Sequence, residues 1–153
     1  MNLNVENISL RDLLADVCMN MKIVATNKGI DLAVDELTDV RFMGDELKLR
    51  RMLLNIIENG IKYTQKGSVV TVSSSAENGY AHITVRDNGV GISKDDLKYI
   101  FDRFYRADRS RKRESGSGLG LSISKWIAEA HKVTIEVESQ LSAGSQFSIK
   151  LPL

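Results

Sequence analysis

The sequence lacks the composition of several protein classes. It has one cysteine, Cys18, among 153 residues, so no intramolecular disulfide can form, which fits a reducing compartment. Its formal net charge is +1, which favours neither nucleic acid nor a membrane surface as a partner. No apolar run approaches the length of a transmembrane helix, and the N-terminus does not resemble a signal peptide. With 42% hydrophobic and 27% charged residues, residues 1–153 read as a single globular domain.

Hydrophobic spacing predicts three long helices, over residues 8–28, 45–64 and 119–132. Ser9 and Asp45 are expected N-caps, and Gly29 is an expected C-terminal stop. Residues 87–118 read as a long loop with a short helical piece near 95–100. Strands are predicted over residues 30–34, 40–43, 69–75, 80–86, 133–138 and 147–151. This order predicts an α+β fold, a two-layer sandwich with one mixed, mostly antiparallel sheet and helices on one face.

Residues 55–64, NIIENGIKYT, place polar side chains inside a predicted helix. Asn55, Asn59 and Lys62 follow at spacings of four and three, so they share one face of that helix. Amide oxygens suit a hard cation such as Mg²⁺, and a lysine ammonium suits a phosphate. The alternative is a solvated face that happens to carry amides, and this segment alone leaves both interpretations open. The core-facing stripe of the same helix consists of Leu53, Ile57 and Ile61.

Residues 87–92, DNGVGI, follow directly on a predicted strand. Asn-Gly is a common turn dipeptide, and a turn alone would explain the segment. The functional interpretation starts from Asp87, because a carboxylate at a strand end can accept a hydrogen bond from an exocyclic amine. The glycines would let the backbone approach a flat base. Such an acceptor favours adenine, which has an amino group where guanine has a carbonyl.

Residues 115–121, SGSGLGL, lead into the third predicted helix. The glycines leave backbone amides accessible, and a helix N-terminus favours anions. No Gly-Lys-Ser/Thr follows, so the segment is not a P-loop. A charged loop rather than a strand precedes it, which makes it a poor dinucleotide fingerprint. A flexible hinge is the alternative interpretation.

Residues 103–113 carry six basic side chains just before that glycine-rich segment. A solvated loop and a nucleic-acid patch are two interpretations. The third is a lid whose arginines reach phosphates and whose aromatic residues, Phe101, Phe104 and Tyr105, anchor it in the core. A long stretch of weakly structured chain inside a compact domain is typical of such lids.

In this order the segments resemble the motifs of the ATP-binding catalytic domain of sensor histidine kinases, a family related to gyrase, Hsp90 and MutL. NIIENGIKYT resembles the N box, DNGVGI the first glycine box, FDRFYRAD the F box and GSGLGLSI the second glycine box. GSQFSIKLPL resembles the closing strand, so the resemblance covers nearly the whole chain. It implies the Bergerat fold, with ATP under the lid between the N-box helix and the glycine boxes.

The resemblance also implies roles for the matching positions and the cofactors ATP and Mg²⁺. Asn59 would ligate Mg²⁺, with Asn55 supporting it. Lys62 would contact phosphate, Tyr63 would line the nucleotide, and Arg106 would reach the terminal phosphate. Asn55, Lys62 and Arg106 would thereby serve the transfer chemistry. Further nucleotide contacts are implied for Asp87, which would take the adenine amine, and for Gly89, Gly91, Ile92, Tyr105, Gly116, Gly118, Leu119, Gly120 and Leu121.

Asn55 separates the subfamilies of this superfamily. The ATP-hydrolysing relatives have a glutamate at this position, which activates water. An amide cannot accept that proton, which favours transfer of the γ-phosphoryl group to a protein acceptor. The sequence departs from the family at two places: Gly60 replaces the usual Ala, and His131-Lys132-Val133 replaces the usual His-Gly-Gly.

The sequence contains no candidate for the phosphorylated histidine. That residue belongs to a His-Glu-rich helical motif with a nearby proline, whereas here the histidines are His82 and His131 and the only proline is Pro152. We therefore expect the acceptor on a separate dimerisation domain of the same kinase, and little turnover by this chain alone.

The expected setting is a two-component system with a response regulator downstream. We expect a cytoplasmic domain without direct membrane contact, in a parent protein anchored in the inner membrane of a bacterium. Two alternatives stay open: an anti-sigma-type protein serine kinase of the same superfamily, and a catalytically inert nucleotide-sensing module.

Overall fold

A computed structural model of the chain describes residues 2–62, 64–102 and 120–153. The α+β prediction is confirmed, since long helices cover one face of a mostly antiparallel sheet. The elements are β1 (Glu6–Ser9), α1 (Leu10–Lys28), β2 (Asp31–Val34), β3 (Arg41–Gly44), α2 (Glu46–Lys62), β4 (Val69–Glu77), β5 (Tyr80–Asp87), α3 (Lys94–Leu97), α4 (Gly120–Ala130), β6 (Thr134–Gln140) and β7 (Gly144–Pro152).

The main sheet has five strands in the order β2-β4-β5-β7-β6. β2 runs parallel to β4, and the other neighbours are antiparallel. β5 is therefore the central strand. Its last residue, Asp87, pairs with Val70 of β4 on one side and with Ser145 of β7 on the other. The register thus places the Asp87 carboxylate at the end of the central strand, with a neighbouring strand on each side.

A second sheet, of two strands, was not predicted. β1 pairs antiparallel with β3, with Ile8 opposite Phe42. The predicted helix start at Ile8 is therefore wrong by two residues, because α1 begins at Leu10 after the N-cap Ser9, whose Oγ accepts the Asp12 N–H. The prediction of a single sheet is also wrong, since β3 pairs with β1 instead of joining the main sheet.

The core lies between the helices and the sheet. The predicted stripe of Leu53, Ile57 and Ile61 on α2 is buried, as amphipathic spacing requires. Cys18 on α1 is also buried, and burial raises the pKa of its thiol to about 11, against the opposing charge of Lys22. Across residues 2–62, 64–102 and 120–153, no helix has both the length and the apolar character needed to cross a membrane.

His131 joins the end of α4 to the start of α2. Its Nδ1 lies 2.9 Å from the Ile127 carbonyl oxygen, and its Nε2 accepts the Asp45 N–H at 3.0 Å. Asp45 caps α2 as predicted, because its Oδ1 accepts the Lys48 N–H at 3.2 Å. The next residue, Lys132, has φ +58°, a left-handed conformation that favours the glycine usual in the family. His131 therefore has a structural role.

Candidate functional site

A buried carboxylate stands at the end of the central strand. Asp87 is 8% exposed, and its Oδ1 accepts the N–H groups of Gly89 at 3.0 Å and Ser145 at 3.3 Å. Its Oδ2 faces α2, where a Cβ added at Gly60 would lie 3.9 Å away. The hydroxyl of Thr64 also lies beside this carboxylate. The backbone thus fixes one oxygen, while the other faces the helix that carries the predicted amides.

Burial controls the titration of Asp87. The loss of hydration raises its pKa above the ordinary value, and the N–H groups of Gly89 and Ser145 and the Thr64 hydroxyl oppose that shift. A carboxylate with so little water around it depends on hydrogen-bond donors for its stability. An amine that reached it would therefore form a stronger hydrogen bond there than at the surface.

The turn after Asp87 fits closely against the β6–β7 hairpin. Gly91 has φ +76°, and a Cβ there would lie 2.1 Å from the Gln140 carbonyl oxygen. Gly144 has φ +102°, and a Cβ there would lie 2.1 Å from the carbonyl oxygen of Asp87 itself. No side chain can be accommodated at such distances, so both positions require glycine. The hairpin consequently fixes the shape of the turn.

Ser139 links this turn to the hairpin through its hydroxyl. Its Oγ accepts the Ile92 N–H at 2.6 Å and lies 3.0 Å from the Gly144 carbonyl oxygen and 2.8 Å from the Ser145 Oγ. Ile92 is half-buried against the core. The predicted base-binding residues Asp87, Gly91 and Ile92 are therefore held together with Gly89 in one hydrogen-bonded turn.

Asn55, Asn59 and Lys62 lie on one face of α2, and all three are half-buried. The Nδ2 of Asn55 donates to the Gly120 carbonyl oxygen at 3.1 Å. Its Oδ1 is then the atom that can bind a further group. A carboxylate in this place would set two acceptor oxygens against each other, so the geometry itself favours an amide at position 55.

Gly120 is the first residue of α4 and connects this helix with α2. Its carbonyl oxygen accepts from Asn55 and also from the Ser124 Oγ at 3.0 Å. Ser124 is fully buried, and its Oγ also lies 3.3 Å from the Met52 carbonyl oxygen. Leu121, predicted to close on the phosphates, packs against the core and is half-buried. The end of the glycine-rich segment is thus fixed beside the amide face.

The remaining predicted site residues lie outside the described residues, and so does the basic segment 103–113. Their roles stay predictions. These residues are Tyr63, Tyr105, Arg106, Gly116, Gly118 and Leu119.

Sequence reasoning missed three residues that hold the site together. Thr64 lies within the NIIENGIKYT segment, so its position next to a predicted site was visible in the sequence. Ser139 and Ser145 lie in β6 and β7, and no motif marks them. Ser145 becomes a candidate only when the pairing of β5 with β7 sets it opposite Asp87.

The residues on α2 fit a magnesium ion through amide oxygens. In the parts of the chain that the structure describes, no group of three His, Cys, Asp or Glu side chains could hold a metal. Asn55 and Asn59 offer neutral oxygens instead. Mg²⁺ keeps several waters and takes few protein ligands when it is bound with phosphates, so such a small donor set suits it.

Comparisons with known proteins identify the family of the chain. A family model described as histidine kinase-, DNA gyrase B-, and HSP90-like ATPase matches residues 44–153. The sensor-like histidine kinase SenX3 of Mycobacterium bovis is 35% identical over 150 residues, which are 97% of this chain and 37% of that protein. The sensor histidine kinase RppB of Synechocystis sp. is 40% identical over 146 residues, which are 94% of this chain and 32% of that protein.

The chain spans about a third of the length of these two relatives. Among solved structures, that of full-length ShkA in complex with AMPPNP superposes with a TM-score of 0.87 at 29% identity, covering 99% of this chain and 32% of that one. The fold, the Asp87 turn, the amide face of α2 and these similarities lead to one conclusion. The chain belongs to the histidine kinase-, DNA gyrase B- and HSP90-like ATPase family, as an ATP-binding catalytic domain of the sensor histidine kinase type.

Proposed function

We propose that the chain binds ATP with Mg²⁺ and donates the γ-phosphoryl group to a histidine on a separate dimerisation domain of its own kinase. The observation that carries this proposal is the arrangement around the C-terminal half of α2. Gly60 faces the buried Asp87, while Asn55 on another face contacts the start of α4. The proposed base acceptor and the proposed metal–phosphate surface would thus both lie along one helix.

Adenine recognition would depend on Asp87. Its Oδ2 would accept a hydrogen from the exocyclic amine, while Oδ1 stays bound to the Gly89 and Ser145 N–H groups. Guanine would present a carbonyl oxygen to the same carboxylate, and two acceptors repel each other. Gly91 and Ile92 would lie beside the base, in the turn that the hairpin holds in shape.

Phosphate binding would depend on the amide–lysine face. Lys62 would neutralise phosphate charge, and the oxygens of Asn59 and Asn55 would hold Mg²⁺, which supplies charge neutralisation to the phosphates when bound. Gly120 would complete this side at the start of α4. The proposed contacts of Arg106 with the terminal phosphate and of Tyr63 with the nucleotide come from the sequence resemblance.

In the transfer, a nitrogen of the acceptor imidazole would form a bond to the γ-phosphorus. The bond from that phosphorus to the bridging oxygen would break, its electron pair would stay with ADP, and the imidazole N–H proton would pass to solvent. The chain contributes positioning and charge stabilisation, which dominate phosphoryl transfer. Asn55 cannot take a proton from water, so ATP hydrolysis should be slow. A response regulator would accept the phosphoryl group from the histidine.

Calorimetry with ATP and GTP in the presence of Mg²⁺ tests the base and metal assignments. The wild type should bind ATP at least about tenfold more tightly than GTP, since one charged hydrogen bond separates them. Asp87→Asn should remove this preference, whereas Asp95→Asn, at an exposed carboxylate of α3, should retain it. Asn59→Ala should remove the Mg²⁺-dependent part of the affinity. Equal affinity of the wild type for both nucleotides would contradict the adenine assignment.

Incubation with γ-labelled ATP, with and without the dimerisation domain of the parent kinase, tests the transfer. We expect acid-labile label on the added domain and none on this chain alone. Acid-stable label on serine would support the serine-kinase alternative. ATP binding without any label on the added domain would support a nucleotide-sensing module.

A further inference from the structure

We infer that Lys28, the last residue of α1, is a positioning residue for the phosphate-binding end of α2; this inference rests on the proposed function. Its Nζ donates to the Ile61 carbonyl oxygen at 2.9 Å and to the Lys62 carbonyl oxygen. Lys62 is the last residue of α2 and the proposed phosphate ligand. No motif in the sequence marks Lys28, which lies 34 residues earlier in the chain.

The electrostatics of a helix end explain why a cation is needed there. The final carbonyl groups of a helix have no partner within the helix and form the negative end of its dipole. At the end of α2, the Thr64 hydroxyl donates to the Gly60 carbonyl oxygen. Lys28 donates to the carbonyl oxygens of the next two residues, Ile61 and Lys62. An anionic phosphate beside Lys62 would otherwise approach this negative end. The Lys28 ammonium offsets that negative charge. By holding the backbone carbonyl groups of the last turn, it also fixes the direction in which the Lys62 side chain extends from the helix.

Lys28 is well placed for this role because the backbone next to it is held on both sides. Gly29 ends α1 with φ +77°, and its N–H donates back to the last turn, to Ala25 and Thr26. The Gly29 carbonyl oxygen accepts the Gly67 N–H at 2.7 Å. The segment after α2 is therefore bound to the segment after α1. The ammonium group needs little reorganisation to reach the two carbonyl groups.

The same end of α2 leads to the base side of the site. Thr64 bonds to Gly60 through its hydroxyl, and that hydroxyl also lies beside Asp87. A loosened last turn would thus disturb Lys62 first. The contact between Thr64 and Asp87 would change less, because Asp87 keeps its bonds to two backbone N–H groups. Loss of Lys28 should therefore affect phosphate binding more than base binding.

Amide hydrogen exchange of the nucleotide-free 153-residue chain tests the anchor itself. Lys28→Met should speed exchange in the last turn of α2 by about five- to tenfold, the loss expected for partly exposed charged hydrogen bonds. Lys28→Arg should restore the protection. Lys22→Met is the matched control, because Lys22 is exposed on the same helix and lies near Cys18. Unchanged exchange in Lys28→Met would overturn the anchor, whether or not the chain binds ATP.

Calorimetry with ATP and with adenosine tests whether the anchor acts through Lys62. Lys28→Met should weaken ATP binding by about fivefold and adenosine binding by less than about twofold. In a Lys62→Ala background, Lys28→Met should have no further effect on ATP. Equal losses for ATP and adenosine would show general destabilisation and overturn the inference. A wild type that binds no ATP would overturn the proposed function, and the exchange result would still decide the anchor.

Discussion

Asp87 and Asn59 belong to the same proposed site, but their surroundings differ. Asp87 is almost fully buried at the end of the central strand and accepts two backbone N–H groups. Asn59 is half-buried on α2. We call Asp87, Gly91 and Gly144 the base end, and Asn55, Asn59 and Lys62 the phosphate end. The base end is shaped by backbone in tight contact, whereas the phosphate end is a set of side chains on one helix face.

This difference follows from what each end would bind. A flat, mostly neutral base is recognised by close fit and by one directed hydrogen bond. Both require a binding surface whose backbone is held rigidly in place. Phosphates and Mg²⁺ are bound by charge and by a few protein oxygens, because Mg²⁺ keeps several of its waters when it is bound with phosphates. We therefore expect substitutions at the base end to change stability most, and those at the phosphate end to act through single contacts.

The largest effect should come from Gly144→Ala. The added Cβ would meet the Asp87 carbonyl oxygen at 2.1 Å in a left-handed conformation, so the free energy of unfolding should fall by about 2–5 kcal/mol. Gly79→Ala is the control, because Gly79 has φ +81° but no atom within 4 Å of the Cβ position. It should cost only about 1 kcal/mol. Denaturant unfolding measures both, and equal losses would show that contact with the turn is unimportant.

The next effect concerns Asn55→Asp. The new carboxylate would lose the donor to Gly120 and face its carbonyl oxygen, so unfolding free energy should fall by about 1–3 kcal/mol at neutral pH. Asn59→Asp is the matched change on the same face, where the described part of the chain shows no hydrogen bond to the amide. It should change stability by less than about 0.5 kcal/mol. A smaller loss at Asn55 than at Asn59 would contradict the link between α2 and α4.

A pH titration separates the buried carboxylate of the base end from an ordinary capping carboxylate. Burial raises the pKa of Asp87 above its ordinary value of 3.8, so the folded chain takes up this proton at a higher pH than the unfolded chain. Lowering the pH from about 7 toward about 4 should therefore raise the unfolding free energy of the wild type relative to Asp87→Asn. The effect should be modest, because the N–H groups of Gly89 and Ser145 and the nearby Thr64 hydroxyl oppose the effect of burial.

Asp45 gives the control of opposite sign. The N–H of Asn4 is the main cause that lowers the pKa of Asp45 below 3.8, and the N–H and ammonium group of Lys48 add to it. Its stabilisation is present above the ordinary pKa and is lost as the pH falls through the lowered pKa. Relative to Asp45→Asn, the wild type should lose unfolding free energy as the pH falls below about 4. If the unfolding free energy changed in the same direction for both residues as the pH falls, the raised pKa of Asp87 and the lowered pKa of Asp45 could not both be right.

The phosphate end was predictable from the sequence because helical spacing alone sets it. Asn55, Asn59 and Lys62 fall on one face by their spacing, and the buried stripe of α2 followed from the same rule. Pairing between distant segments has no such local signal. β1 has only one buried residue, Ile8, and it forms a strand because β3 lies beside it.

The base end could be predicted only in part for the same reason. The turn motif identified Asp87, but its partner Ser145 lies 58 residues later and meets it through the pairing of β5 with β7. Two glycines show most clearly what the sequence alone cannot predict. Gly79 and Gly144 both have positive φ, yet one faces open space and the other faces backbone. Only the packing of the hairpin against the turn distinguishes them.

The smallest effects should come from two glycines that have room for a side chain, one at each end of the site. At Gly60 a Cβ would make ordinary contacts, at 3.7 Å with Val70 and 3.9 Å with Asp87. At Gly120 it would lie 3.7 Å from the Cγ of Asn55. Gly60 lies inside α2, where Ala is preferred to Gly, whereas Gly120 is the first residue of α4, where the preference matters little.

Gly60→Ala should therefore raise the unfolding free energy by about 0.5–1 kcal/mol and leave ATP affinity within about twofold. Gly120→Ala should leave stability nearly unchanged. It should also leave ATP affinity nearly unchanged, because its methyl group would make an ordinary contact at 3.9 Å with the Asn55 Oδ1, as the Gly60 methyl group would with the Asp87 Oδ2. Unfolding and calorimetry on both variants measure the contrast. A loss of unfolding free energy in Gly60→Ala would contradict the open space around this glycine, and clearly weaker ATP binding in either variant would show that the nucleotide needs that space.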